Sequence, residues 1–257
     1  MPYSARWYTL LHAGNPGDVA FYLDACSGVD TVLELGAGIG RISLALTALV
    51  GEVTAVEISP EMVAGLEAAA RRLPAEMQAR LSIHQMDMRH IAFPGRFDRI
   101  IVPYNGLLCL LTDDDVVTCL TRAAGHLSPE GRLIFDIYDV PISVLEEEGE
   151  PDERDDYEFI VSLDDHSVTA EIYEKSLVNA DPRRFDTRYR YDIYDGTGGM
   201  VDTFEYDIRQ RCIFKEHLGD FLDAAGLELV SITGDFEDAP ITDETLQLVV
   251  TAKKRGA

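Results

Sequence analysis

Three glycines spaced two residues apart follow a short apolar run near the start of the chain. The run is residues 31–35, TVLEL, and the glycines are Gly36, Gly38 and Gly40. The run predicts a buried β-strand, and the apolar stretch at 39–50 predicts a helix after the glycines. Glycines in such a turn let a ligand approach the backbone N–H groups at a helix N-terminus. A strand–turn–helix unit with a ligand site at its turn is therefore expected here.

Strand and helix patterns alternate through the first half of the chain and again near its end. Ser59 and Thr112 have the chemistry of N-cap residues for two of the helices. The alternation is typical of right-handed βαβ units. It predicts an α/β fold with a doubly wound, mostly parallel, seven-stranded Rossmann-like sheet. The strands after the first are predicted at 52–57, 81–86, 97–102, 132–138, 227–233 and 245–253, and the helices at 39–50, from 60 to about 73, from 113, and at 214–225.

The pattern changes in the middle of the chain, where four segments have strand chemistry. Their connectors at 164–167, 179–182 and 196–199 are rich in turn-forming residues. Tyr189, Tyr191 and Ile193 recur with a period of two, which predicts a sheet with one apolar face. We therefore expect an antiparallel β meander inserted at 141–211. The predicted organisation is an N-terminal segment at 1–30, a core at 31–140 and 212–257, and this insertion.

The chain is strongly acidic, with 22 Lys and Arg against 46 Asp and Glu among 257 residues. The net charge of −24 argues against nucleic acid and an anionic membrane as partners, because both bind basic surfaces. A dense acidic run at 145–156 predicts an exposed loop. There is no signal-peptide pattern at the start and no apolar run long enough to cross a membrane. Four cysteines without a C-x-x-C pair predict reduced thiols, no metal site and a cytoplasmic location.

Two acidic residues come where predicted strands end, at the edge where parallel sheets bind ligands. Glu57 lies 57 − 36 = 21 residues after Gly36 and can accept hydrogen bonds from both hydroxyls of a ribose. Asp87 follows the third strand and can accept a hydrogen bond from an adenine amino group. Arg41 stands where the G-x-G-x-x-G fingerprint of nicotinamide dinucleotide-binding proteins requires a glycine. Together these features favour a nucleoside cofactor other than a nicotinamide dinucleotide.

With these motifs the chain resembles the class I S-adenosylmethionine (SAM)-dependent methyltransferases over most of its length. The first motif is ELGAGIG at 34–40, the second VTAVE at 53–57, and the fourth-strand motif FDRIIVPYN at 97–105. The resemblance implies SAM as the cofactor, with its ribose on Glu57 and its adenine beside Asp87 and Met88. The cofactor-binding residues that it implies are Tyr8, Glu34, Gly36, Gly38, Gly40, Glu57, Ile58, Asp87, Met88 and Pro103.

The resemblance also implies methyl transfer to a small molecule of sugar, amino-acid or natural-product type. The N-terminal segment is then expected to form a lid over SAM, and the insertion to cover the acceptor site. His12, in the lid, and Tyr104, after the fourth strand, are the candidate catalytic residues. Residues 102–105, VPYN, lack the Asn/Asp-Pro-Pro-Tyr/Phe pattern of DNA and protein amide methyltransferases, which agrees with the exclusion of nucleic acid.

Two other functions remain open at this point. One is a non-catalytic SAM-binding or regulatory module on the same fold. The other is a nicotinamide-dependent oxidoreductase, which Arg41 disfavours because it interrupts the fingerprint. The expected oligomeric state is a monomer or a homodimer.

Overall fold

The structure is a computed structural model that describes residues 5–139, 157–165, 168–177, 183–242 and 245–256. The acidic run at 145–156, for which an exposed loop is predicted, lies outside these residues. The described residues form two compact units. The core unit comprises those of Gly14–Asp139 and Ile213–Ala257, and the antiparallel unit comprises those of Met1–Ala13 and Val140–Cys212.

Strands and helices alternate along the described chain. The strands are β1 (Thr31–Leu35), β2 (Glu52–Glu57), β3 (Leu81–Gln85), β4 (Phe97–Val102), β5 (Leu127–Tyr138), β6 (Glu158–Asp165), β7 (Val168–Leu177), β8 (Arg184–Asp195), β9 (Met200–Arg211), β10 (Leu227–Thr233) and β11 (Gln247–Lys254). The helices are α1 (Ala5–Leu11), α2 (Asp18–Ala25), α3 (Ser43–Leu46), α4 (Pro60–Ala70), α5 (Ala75–Gln78), α6 (Asp113–His126) and α7 (Leu218–Ala224). No described helix is long and apolar enough to span a membrane.

A seven-stranded sheet in the order β10-β11-β5-β4-β1-β2-β3 forms the centre of the core unit. β11 runs antiparallel to both of its neighbours, and the other described pairs in this sheet are parallel. The predicted doubly wound, mostly parallel α/β sheet is confirmed. The chain reverses its direction of winding between β1 and β4, so their carboxyl ends mark the expected ligand crevice.

Local sequence chemistry explains where two helices of the core unit begin. The Ser59 hydroxyl accepts a hydrogen bond from the backbone N–H of Met62 at 3.4 Å, with Pro60 at the first helical position of α4. The Thr112 hydroxyl accepts from the backbone N–H of Asp115 at 3.1 Å and caps α6. Three aspartates in the first turn of α6 stabilise the helix, because their negative charges lie at the positive end of its dipole.

Three predicted boundaries in the core unit are wrong. The helix expected at 39–50 is the four-residue α3, because Gly40 is left-handed with φ 86° and the chain forms turns on both sides of α3. The strand expected from Arg132 begins at Leu127, which pairs with Phe97 of β4. The helix expected at 214–225 begins only at Leu218, after a 3-10 turn over Lys215–His217.

The antiparallel unit contains the predicted meander, as a sheet in the order β6-β7-β8-β9 with every described pair antiparallel. One face of this sheet is apolar and buries Ile172 and Tyr191 completely. Trp7 of α1 belongs to the same buried cluster and is 6% exposed. The apolar period of two in β8 and β9 thus creates a face that α1 covers.

The N-terminal segment predicted as one piece at 1–30 divides between the two units. Trp7 attaches α1 to the antiparallel unit, whereas the fully buried Tyr22 attaches α2 to the core unit. The division falls at Gly14, which has φ 103°. The expected function of this segment as a lid stays a prediction.

Candidate functional site

The glycine turn after β1 leaves space in the core unit where a ligand can lie. Gly36 and Gly38 have φ values of 75° and 58°, and a methyl group added at either would have no described atom within 4 Å. A methyl group at Gly40 would lie 2.1 Å from Cδ1 of Leu66 in α4. Two glycines therefore form an open cradle, and the third permits close packing against α4. The expected contact of Gly40 with the cofactor stays a prediction.

Glu57, at the end of β2, holds the glycine turn through its carboxylate. One oxygen, Oε2, accepts a hydrogen bond from the backbone N–H of Gly38 at 2.8 Å. The other, Oε1, accepts from the backbone N–H of Ser59 at 2.8 Å. A carboxylate offers roughly four lone-pair sites, so each oxygen keeps acceptor capacity for a ribose hydroxyl. The side chain is 9% exposed, at the edge where the sequence predicts ribose binding.

Glu34, two residues before the glycine turn, is buried in β1. The Ser43 hydroxyl at the start of α3 donates a hydrogen bond to its carboxylate. Burial raises the pKa of Glu34 to about 7, while the Ser43 hydrogen bond and the charge of Arg41 act in the opposite direction. In this structure Glu34 joins β1 to α3 and so fixes the turn between them. Its predicted contact with the cofactor stays a prediction.

Asp87 lies just beyond β3 and is engaged by a residue that the sequence analysis missed. Its Oδ1 accepts from the backbone N–H of Arg89 at 2.9 Å, and the Arg89 guanidinium donates to both carboxylate oxygens at 2.5–3.1 Å. Arg89 also binds Asp115 of α6 at 2.7 Å. Hydrogen bonds from Arg89 hold the pKa of Asp87 below its usual value. Asp87 is therefore a fixed, ionised acceptor that already has donors.

Two apolar residues expected near the adenine lie beside these acids in the chain. Ile58 follows Glu57 directly and is 60% exposed, an unusual exposure for an isoleucine in the core unit. Met88 follows Asp87, is half-buried and packs against the main apolar cluster. Both positions are compatible with an apolar contact to a planar base, and both assignments stay predictions.

The segment after β4 contains the predicted residues Pro103 and Tyr104. Pro103 is buried, and Tyr104 is half-buried with φ 55°. Burial raises the pKa of the Tyr104 phenol. The Arg41 guanidinium carbon lies 5.6 Å from the centre of the Tyr104 ring, as a cation–π contact.

Arg41 has a second partner that the sequence analysis missed. Its guanidinium makes two hydrogen bonds to the Asp18 carboxylate, at 2.7 and 2.6 Å. Asp18 is 2% exposed and lies in the first turn of α2. The paired geometry is typical of strong Arg–carboxylate recognition. The residue that interrupts the dinucleotide fingerprint therefore ties the glycine turn to α2, and only its spatial contacts reveal this.

The apolar face of the antiparallel unit carries a hydrogen-bonded group of rings that includes the predicted residues Tyr8 and His12. His12 Nε2 lies 2.7 Å from the Tyr206 hydroxyl, and the Tyr191 hydroxyl lies 3.4 Å from that of Tyr206. The His12 ring lies 4.5 Å from that of Tyr8 and 5.5 Å from that of Tyr189, between ring centroids. Burial lowers the pKa of His12 to about 4, so its imidazole is neutral at pH 7.

The predicted residues thus divide between the two units. Glu34, the glycines and Glu57 come together at one turn of the core unit, and Asp87 with Met88 follows the neighbouring β3. Tyr8 and His12 lie together in the antiparallel unit. Within the described residues no group of three His, Cys, Asp or Glu side chains is placed to hold a metal ion.

Comparison with known proteins gives matches to methyltransferases. Residues 32–131 match a family model described as a methyltransferase domain. The chain is 26% identical over 226 residues to the "Putative methyltransferase YqeM" of Bacillus subtilis (strain 168), a match that covers 87% of this chain and 83% of that protein.

Solved structures share the fold over nearly the whole chain. A SAM-dependent methyltransferase from Clostridium acetobutylicum ATCC 824 has a TM-score of 0.77 at 18% identity, covering 97% of this chain and 96% of that one. A SAM-bound amino pentose methyltransferase from Micromonospora echinaspora, involved in calicheamicin biosynthesis, has a TM-score of 0.70 at 18% identity and covers 98% of both chains.

Residues 32–131 match a methyltransferase domain, and the fold is that of solved SAM-dependent methyltransferases. The residues present fit the cofactor. The open space at Gly36 and Gly38 admits a ligand close to the backbone, and Glu57 offers acceptors at the end of β2. The sequence-based resemblance and the expected cofactor are therefore confirmed.

Proposed function

We propose that this enzyme transfers the methyl group of SAM to a small-molecule acceptor of sugar, amino-acid or natural-product type. The observation that carries the proposal is the hydrogen-bonded group around His12 and Tyr206 on the apolar face of the antiparallel unit. Such a surface combines aromatic area with a few convergent polar atoms, as small-molecule sites do. The net charge of −24 supports the exclusion of nucleic acid.

The core unit supplies the cofactor half of the proposed site. SAM provides an activated methyl group on a sulfonium, so the protein's part is mainly positioning. Gly36 and Gly38 leave room for the methionine part. Glu57 accepts hydrogen bonds from the ribose, and Asp87 accepts one from the adenine amino group while Arg89 holds it in place. Ile58 and Met88 supply apolar contacts to the base.

We propose that the antiparallel unit supplies the acceptor half of the site. In this proposal it covers the acceptor, as the sequence analysis expects of the insertion at 141–211. Because burial lowers the pKa of His12 to about 4, the imidazole is a weak base. We therefore assign His12 the role of orienting the acceptor through a hydrogen bond, with the Tyr206 hydroxyl fixing its ring. Tyr8, whose ring is tilted against that of His12, presents an aromatic face suited to a sulfonium. Tyr104 contacts the acceptor from the end of β4.

The cofactor half is tested by titrating SAM, S-adenosylhomocysteine and NAD separately into the purified protein by calorimetry. We expect saturable binding of the first two and none of NAD, because Arg41 interrupts the dinucleotide fingerprint. Binding of NAD in preference to SAM would overturn the cofactor assignment.

The acceptor half is tested by incubating the enzyme with SAM and a panel of amino sugars, amino acids, phenols, structured RNA and duplex DNA. Mass spectrometry then reports the addition of one methyl group. We expect methylation of a small molecule, no methylation of either nucleic acid, and none in the Glu57→Ala variant. Methylation of RNA or DNA alone would overturn the proposed acceptor class. Tight SAM binding without turnover would favour a non-catalytic SAM-binding module.

A further inference from the structure

Two consecutive residues at the carboxyl end of β4 adopt a backbone conformation that costs free energy. Tyr104 has φ 55° and Asn105 has φ 58°, both left-handed, although neither is glycine. A bulky L-residue such as tyrosine rarely adopts this conformation, and such strain persists only where surrounding groups over-determine it. Some other part of the molecule therefore holds this turn.

The group that holds the turn is the carboxylate of Asp136 in β5. Its Oδ1 accepts from the backbone N–H of Tyr104 at 2.8 Å, and its Oδ2 accepts from the backbone N–H of Asn105 at 3.0 Å. The Tyr22 hydroxyl of α2 donates to Oδ1 at 2.6 Å, and Gln247 Nε2 donates to Oδ2 at 3.3 Å. Four donors from three parts of the chain thus converge on one carboxylate that is fully buried.

The ring of Tyr104 is held from its other side. Arg41 lies over this ring, and its guanidinium is in turn fixed by two hydrogen bonds to Asp18. Asp136 holds the backbone and Arg41 faces the ring, so Tyr104 has little freedom to move. A half-buried tyrosine held in this way is pre-organised for a contact that depends on position.

A buried acceptor next to this turn lacks a donor. The side-chain oxygen Oδ1 of Asn105 is buried and has no hydrogen-bond partner among the residues that the structure describes. Buried polar atoms of folded proteins almost always have a partner, and each exception requires an explanation such as a catalytic role or a bound molecule. A molecule bound beside the turn held by Asp136 would supply the missing donor.

We propose that Asp136 and Tyr22 are positioning residues that hold the Tyr104–Asn105 turn in place for methyl transfer. The turn lies at the carboxyl end of β4, next to β1 and its glycine turn, at the expected ligand crevice. Neither Asp136 nor Tyr22 needs to touch cofactor or acceptor in this role. The inference rests on the proposed function, because that function assigns Tyr104 to the acceptor contact.

Asp98 provides a matched control within the same sheet. Its carboxylate also takes four donors, from the backbone N–H groups of Asp30 and Thr31 and the hydroxyls of Thr31 and Ser128, at 3.0–3.2 Å. It lies near the amino end of β4, at the opposite edge of the sheet from Tyr104. An Asp98→Asn substitution therefore perturbs a similar hydrogen-bonded carboxylate without touching the turn.

The test places 3-fluorotyrosine at position 104 of the full chain and records its 19F NMR spectrum. In the labelled wild-type chain we expect one sharp resonance. Asp136→Asn should shift or split it, because a carboxamide cannot accept from both N–H groups with the same geometry. Tyr22→Phe, which removes one donor, should give a smaller shift, and Asp98→Asn should give none. An unchanged resonance in folded Asp136→Asn would overturn the proposal; if that variant does not fold, an unchanged resonance in Tyr22→Phe would do so.

Kinetics and binding separate positioning from a merely structural role. With an acceptor found in the panel, kcat of Tyr22→Phe should fall about tenfold or more, as expected for a misplaced contact. The dissociation constant for SAM should stay within about threefold. Equal kcat in wild type and Tyr22→Phe would reject the role in methyl transfer. A wild-type enzyme that methylates nothing would instead reject the proposed function, and the 19F result, which needs no turnover, would still decide whether Asp136 holds the turn.

Discussion

The two units bury polar groups in different ways. In the core unit, carboxylates at the carboxyl edge of the sheet bind backbone N–H groups: Glu57 holds Gly38 and Ser59, and Asp136 holds two residues after β4. On the apolar face of the antiparallel unit, an imidazole and phenol hydroxyls bind one another instead. On the opposite face of β8 and β9, the Arg188 guanidinium pairs with the Asp207 carboxylate at 2.6 Å.

The difference has a physical consequence for binding. A side chain held by backbone groups depends little on neighbouring side chains, whereas each ring in a hydrogen-bonded group depends on the others for its position. The first arrangement suits a cofactor that is always the same. The second suits an acceptor surface that can change during evolution while the fold is retained. The predictions below test whether the two units respond to substitution as this contrast requires.

Substitution of Glu57 should have the largest effect, which is on the affinity for SAM. Glu57→Ala would remove the two proposed hydrogen bonds to the ribose, each worth about 1.5–3 kcal/mol because the acceptor is charged. It also releases the N–H groups of Gly38 and Ser59 from the carboxylate. We expect SAM affinity to fall by about a hundredfold or more, measured by calorimetry. Glu61→Gln, at an exposed position in the first turn of α4, should leave affinity unchanged. Unchanged affinity in Glu57→Ala would remove the ribose assignment.

Gly40 should give the next largest effect, on stability. Gly40→Ala adds left-handed strain of about 1–2 kcal/mol and a clash with Leu66 that costs about 1–3 kcal/mol more. The matched control is Gly28→Ala, since Gly28 also has positive φ but an added methyl group there meets nothing within 4 Å. Chemical denaturation should show a clearly larger loss for Gly40→Ala. Equal losses would mean that Leu66 moves aside freely.

These two positions also indicate what a sequence can reveal. The glycine turn and Glu57 are recognisable because each motif lies within a few residues of a predicted strand, and β1, β2 and their turn follow local patterns. The four carboxylate contacts of Asp136 were missed because Tyr22 is 114 residues away and Gln247 is 111 residues away. An aspartate in the apolar strand sequence LIFDIY was the available signal.

The N-terminal segment shows the same limit. The sequence predicts this segment as a lid, but it did not reveal that Trp7 lies in one buried cluster with Ile172 and Tyr191. The predicted helix at 39–50 was also too long, because the apolar pattern continues through these residues although the helical backbone conformation does not. Periodicity reports which residues are buried, and it does not report where a left-handed glycine interrupts a helix.

The contributions of His12 and Glu34 to the free energy of unfolding should change with pH in opposite directions. Burial lowers the pKa of His12 to about 4, so the unfolded chain binds its proton first and stability falls as pH decreases from about 6.5 to 4. Burial raises the pKa of Glu34 to about 7, so the stability associated with this acid falls as pH increases from about 4.5 to 7. The His12 contribution is about 2–3 kcal/mol after allowance for its partial exposure.

Denaturation across this pH range measures both contributions by difference. His12→Gln should reduce the loss of stability on acidification, and Glu34→Gln should reduce the loss on going from pH 4.5 to 7, a range in which Asp136, whose pKa burial raises to about 6, also contributes. The comparison is between the pH slopes of wild type and variant, since each substitution also changes a hydrogen bond at all pH values. Parallel curves for wild type and His12→Gln would mean that His12 titrates normally in the folded protein.

The smallest expected effect concerns the predicted lid and is read from Trp7, the one tryptophan in the sequence. Trp7 is 6% exposed and packs with Ala170, Ile172, Tyr191 and Ile193, so α1 is docked within the antiparallel unit. A helix that opens and closes alone over SAM would expose this ring in the absence of cofactor. Because the ring is already buried, we expect its acrylamide quenching to change little when SAM is added. Any movement of the segment would then occur with α1 still docked on its sheet.

Two variants make this fluorescence experiment decisive. Trp7→Phe should abolish the signal and confirm its source. Ile172→Ala should loosen the contact under α1, since a buried Ile→Ala substitution costs roughly 2–5 kcal/mol, and so raise quenching in the absence of SAM. If SAM strongly protects wild-type Trp7 from acrylamide, to the degree that separates wild type from Ile172→Ala, then α1 does move independently. In that case the N-terminal segment closes on the cofactor as a lid. The apolar face of the antiparallel unit would then change its contacts during the reaction, whereas the carboxylates of the core unit would keep theirs.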